Sequence, residues 1–65
     1  MSDWQVVYQE GSREVRVSPS GIVVVEDRLA DGQVRHTRVY PDGRHAQVIE
    51  STPQKAWLAA RKAAT

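Results

Sequence analysis

Residues 34–48 read VRHTRVYPDGRHAQV, and the tetrad Tyr40-Pro41-Asp42-Gly43 at their centre decides how the chain folds. Proline pre-sets the backbone at the second turn position, the Asp carboxylate accepts a local backbone hydrogen bond, and glycine takes the left-handed conformation that ends a three-residue hairpin loop. The flanks belong to valine-rich, largely alternating segments, the pattern of two strands. Outward from this hairpin the same punctuation recurs as Ser18-Pro19-Ser20-Gly21 and Leu29-Ala30-Asp31-Gly32. Gly11-Ser12 suits a two-residue loop with glycine leading. Gly11, Gly21, Gly32 and Gly43 are ten, eleven and eleven residues apart, a hairpin rhythm that leaves no room for helices between them.

The segments between the turns predict five strands, at about residues 4–10, 13–18, 22–28, 33–40 and 44–50. Beyond them period and composition change together. Thr52 is a helix cap, Pro53 suits the first turn, and KAWLAARKAA follows, which predicts a helix over about residues 53–63. The expected fold is therefore α+β, one domain of residues 1–65: a five-stranded antiparallel up-and-down meander followed by one C-terminal helix packed on one face.

Sixty-five residues lie near the lower limit for a chain that folds alone around one core, and there is no cysteine for a disulfide or a thiolate zinc site. Help from self-association is expected, with a dimer favoured. No apolar run approaches the roughly 20 residues of a membrane span. The start, MSDWQVVYQE, lacks the basic and apolar segments of a secretion signal. A cytoplasmic location and no membrane partner are the expectations. Residues 1–32 carry six acids against three bases and residues 33–65 six bases against two acids, so the halves stand at −3 and +4.

Turn geometry fixes register, and register sorts side chains between the two faces of the sheet. One face collects Trp4, Val6, Tyr8, Val15, Val17, Val23, Val25, Thr37, Val39, Gln47 and Ile49, and is expected to receive the helix on Trp57. Glu10 falls opposite Arg13, Asp27 opposite Arg35 and Glu26 opposite His36, each a favourable pair, whereas Glu14 opposite Glu26 is a dissonant one. The second face holds an apolar island of Ile22, Val24, Val34, Tyr40 and Val48 within a rim of Arg16, His36, Arg38 and Arg44.

Catalytic patterns are missing. His36 and His45 fall on opposite faces, so no metal site is expected, and no cofactor. Glu26 and Asp27 are adjacent and diverge, and the serines sit at the terminus, in turns or at the helix cap. A non-enzymatic binding module is expected, with two readings. The leading one is nucleic-acid contact through the second face, with Arg16, Arg38 and Arg44 supplying charge, Tyr40 a stacking platform and His36 a hydrogen bond. The alternative is a protein-interaction module, whether homodimer, adaptor or inhibitor, using the island of Ile22, Val24, Val34, Tyr40 and Val48.

Overall fold

The computed structural model describes residues 3–64. Five strands, β1 (Gln5–Glu10), β2 (Arg13–Val17), β3 (Val23–Arg28), β4 (Val34–Val39) and β5 (His45–Glu50), form one open antiparallel sheet in chain order, and α1 (Pro53–Ala63) follows. Each tetrad closes as its chemistry dictates. Gly21, Gly32 and Gly43 donate backbone N–H bonds of 3.0 Å to the carbonyls of Ser18, Leu29 and Tyr40. Asp42 Oδ1 accepts from the Arg44 backbone N–H at 3.0 Å, and Gly43 at φ 95° occupies the conformation that glycine alone adopts readily.

These loops set the register from β2 to β5 without interruption. Val15, Val25, Thr37 and Gln47 lie side by side in one row, and Val17, Val23, Val39 and His45 in the next. On the reverse face Arg16, Val24, Arg38 and Ala46 form a row, beside Glu14, Glu26, His36 and Val48. The first strand departs from its expected register. The pairing of β1 slips between Val6 and Tyr8, so Tyr8 still meets Val15 whereas Val6 meets Arg16. This bulge carries the start of the strand to the reverse face, and the Trp4 ring lies 5.2 Å from that of Trp57.

The helix is capped as its sequence requires, Thr52 Oγ1 accepting from the Lys55 backbone N–H at 3.2 Å, with Pro53 in the first turn. It packs against β4 and β5. Its place corrects the expectation: α1 lies over the Val24, His36 and Arg38 face, and the Val15, Val25 and Val39 face stays uncovered. The reason lies in the helix itself. Its buried stripe is Ala56, Ala60 and the cap residue Ala64, small side chains at four-residue intervals that suit close approach to a strand bearing Ala46. Its largest side chain, Trp57, finds on this face two rings and a guanidinium: Trp4, His36 at 5.4 Å, and Arg38 at 4.7 Å. A valine surface offers none of those partners.

Candidate functional site

The five side chains expected to contact nucleic acid do not form a surface. His36 is fully buried and Arg38 only 4% exposed, both beneath α1. Tyr40 and Arg16 are half-buried, and Arg44 alone is exposed. The expected docking island is likewise internal: Val24 and Val34 are buried, and Ile22, Tyr40 and Val48 half-buried, on the face that α1 occupies. The expected partner site is in fact the fold's own core.

Arg38 is the centre of that core. Its guanidinium stands over Trp57 at 4.7 Å and within 5.6 Å of Trp4 and Tyr40, and its Nε donates to the Tyr40 hydroxyl at 3.0 Å. No carboxylate pairs with it among the described residues, and its Nη1 has no hydrogen-bond partner. Ring faces take the place of a counter-ion. The adjacent His36 has neither ring nitrogen hydrogen-bonded, and its nearest carboxylate oxygen, Glu26 Oε1, lies 3.7 Å from Nδ1. Burial, reinforced by the positive charges of Arg38 and Arg16, lowers its pKa from 6.5 to about 4, so it is a neutral imidazole at physiological pH.

The uncovered face has a different character. At one end runs a cross-strand row of alternating charge, Glu10, Arg13, Asp27 and Arg35. Arg13 Nε donates to Asp27 Oδ1 at 2.7 Å and Arg35 Nη2 to Oδ2 at 3.1 Å, so the two arginines screen Asp27 from solvent. The Arg13 hydrogen bond, opposed by burial and aided by Arg35, holds the Asp27 carboxyl below its ordinary range. Beside this neutral row lie the two apolar rows, Tyr8, Val15, Val25 and Thr37, then Val17, Val23 and Val39. Their four central valines are half-buried by one another, and Tyr8, Val39 and the neighbouring Ile49 are exposed. Sequence reasoning assigned these residues to the core and so missed them as an outer surface. The signal available was the alanine stripe of α1, which contacts little of a wide valine sheet.

His45 lies in the uncovered face's last row and His36 in the covered one, so the histidines diverge. Among the described residues no group of three or more His, Cys, Asp or Glu side chains converges as metal ligands, and no helix is long and apolar enough to cross a membrane. Comparison of the chain with protein-family models, with curated proteins and with solved structures finds no match.

Proposed function

We propose that this chain is a non-enzymatic protein-interaction module that pairs with a second copy of itself through the uncovered valine face. One observation carries the reading. The sheet's more apolar face, with valines at 15, 17, 23, 25 and 39 beside Tyr8 and Ile49, is the one that α1 leaves open, while the helix covers a face built around His36 and Arg38. Contiguous apolar sheet surface of this kind marks an interaction site.

Size and charge favour a second copy as the occupant. Five strands at about 4.8 Å spacing and about 20 Å length give a footprint near 500 Å², so two apposed copies bury roughly 1,000–1,300 Å² of accessible surface, around the lower bound for specific complexes. The formal charge of +1 opposes association little, and the Glu10-Arg13-Asp27-Arg35 row is neutral in itself. A two-fold axis running across the strands between the two apolar rows sets Val15 against Val17 of the partner subunit and Val25 against Val23 of the partner subunit. The charged row then remains on the wet rim at each end. The result is a four-layer arrangement with both helices outside. The nucleic-acid reading draws on His36 and Arg38, which are buried beneath α1, and loses support accordingly.

Sedimentation velocity over a concentration series tests the reading. Wild type is expected to shift from monomer to dimer as concentration rises. Val25→Asp, and the near-isosteric Val25→Thr to a lesser degree, should move that transition to higher concentration while strand content by circular dichroism stays the same. A monomer at every concentration, or a dimer that Val25→Asp does not weaken, overturns it.

A further inference from the structure

Residues 51–65 carry three bases and no acid, whereas residues 1–50 carry six bases and eight acids, so the helical segment stands at +3 against a body at −2. The positive charge lies on the side of α1 that the sheet does not touch. Lys55, Leu58 and Lys62, three and then four residues apart, form an exposed stripe opposite the buried Ala56, Ala60 and Ala64, with Arg61 exposed beside it. Neither Lys55 nor Arg61 pairs with a carboxylate among the described residues.

Helix physics accounts for two of these cations and opposes the third. Arg61 and Lys62 stand in the last turn, where the partial negative charge of the helix end favours bases. Lys55 stands in the first turn, which holds no acid, and its backbone N–H is the one that caps onto Thr52. At that position the macrodipole disfavours a base, and a glutamate would complete a capping box with Thr52. Local stability asks for a carboxylate there and the chain carries an ammonium, the kind of local conflict that marks a functional position.

Leu58 is a second, independent sign. It is 56% exposed in the middle of the cationic stripe, and with Ala59, Arg61 and Lys62 it lines a depression of ≈ 610 Å³ along the outer side of the helix. A leucine gains nothing against a phosphate backbone, and one leucine is a small anchor for a bilayer. A protein segment with an apolar side chain set between carboxylates matches both the leucine and the charge.

We propose that the outer side of α1 docks an acidic amphipathic helix of a partner protein. An apolar side chain of the partner seats in the depression against Leu58 and Ala59, and carboxylates around it meet Lys55, Arg61 and Lys62. The site lies on the opposite side of the sheet from the valine rows and serves one copy of the chain as well as two.

The test is a ¹H–¹⁵N titration of the full chain with a two-heptad helical peptide of glutamate that carries leucine along one face. Two controls accompany it, one with glutamine for every glutamate and one with alanine for every leucine. Saturable shifts are expected at the amides of Lys55, Leu58 and Lys62, with affinity falling as salt is added. Both controls should bind more weakly by about fivefold or more. Lys55→Glu should weaken binding by about tenfold or more while raising the urea midpoint of unfolding, because it completes the capping box. Leu58→Gln, at an exposed position, should also weaken binding and keep the native spectrum. A short DNA duplex and vesicles of phosphatidylserine with phosphatidylcholine are titrated alongside. Tighter binding to either than to the acidic peptide overturns the proposal, as do absence of saturable shifts, equal binding of the glutamine peptide, or a Lys55→Glu variant that binds as wild type does.

Discussion

Acid should destabilise this protein through one imidazole, that of His36. At neutral pH His36 is uncharged in both the folded and the unfolded chain and contributes nothing to the pH dependence. Below its unfolded value of 6.5 the unfolded chain takes up a proton that the folded chain refuses until about pH 4. Stability is thus fully present above pH 6.5 and falls through the window between the two values, at up to about 1.4 kcal/mol per pH unit. A gap of that width amounts to about 3 kcal/mol, against a total of roughly 3–10 kcal/mol for a domain of this size. The groups facing the ring account for the direction: Arg38 on its own strand and Arg16 on β2 repel a second positive charge, Trp57 from α1 excludes water, and Glu26 on β3 stands beyond hydrogen-bond distance. Asp27 acts in a separate window, because its lowered pKa places its loss of stability below the ordinary carboxylate value of 3.8. The assay is urea unfolding at dilute protein concentration, followed by tryptophan fluorescence at closely spaced pH values. In His36→Phe the slope between pH 6.5 and 4 should vanish. Neutral-pH stability should rise by about 1 kcal/mol, since two unpaired buried nitrogens are removed and the ring contact with Trp57 is kept. A wild-type profile that is flat in this window, or a slope that survives His36→Phe, refutes the assignment of a buried neutral imidazole.

Two further substitutions probe the two faces. Trp57→Ala removes the side chain that meets Trp4, His36 and Arg38, and should cost about 3–5 kcal/mol; hydrogen exchange should show α1 amides losing protection ahead of those of β3, and uniform loss would contradict a helix held chiefly at this point. Asp27→Asn leaves Arg13 and Arg35, on the strands either side of position 27, without a carboxylate between them and should cost about 1–3 kcal/mol in urea unfolding at neutral pH, with the difference from wild type shrinking as acid neutralises Asp27 in the parent.

What the chain reveals before folding, and what it withholds, follows from the range of the interactions involved. Turn chemistry is local: Pro41, Asp42 and Gly43 act on their own backbone, so three loops, four strand pairings and even the awkward opposition of Glu14 and Glu26 can be read from residue order. The helix start at Thr52-Pro53 is equally local. The β1 bulge is not, because Val6-Val7-Tyr8 carries no glycine or proline to mark it, and it follows from Trp4 reaching Trp57 across the sheet. The choice of face is the least local of all. Both faces carry valines at alternate positions, and the decision falls to whether three alanines and one indole fit better against Ala46, His36 and Arg38 or against the valine rows. That fit depends on ring contacts to Arg38 that no strand pattern contains. With the helix on that face, His36, Arg38, Val24 and Val34 of the expected site became core, and the valine rows expected as core became the surface.

The claim that the valine face receives a second copy of the chain is tested most directly by isotope-filtered NMR on an equimolar mixture of ¹³C-labelled and unlabelled protein at dimer-forming concentration. The account predicts intermolecular contacts between the methyl groups of Val25 and those of Val23 in the other copy, and between Val15 and Val17, with none from α1. A dimer whose intermolecular contacts come from Leu58, from Val6 or from the outer edge of β5 would contradict it, as would a protein that shows no such contacts at all.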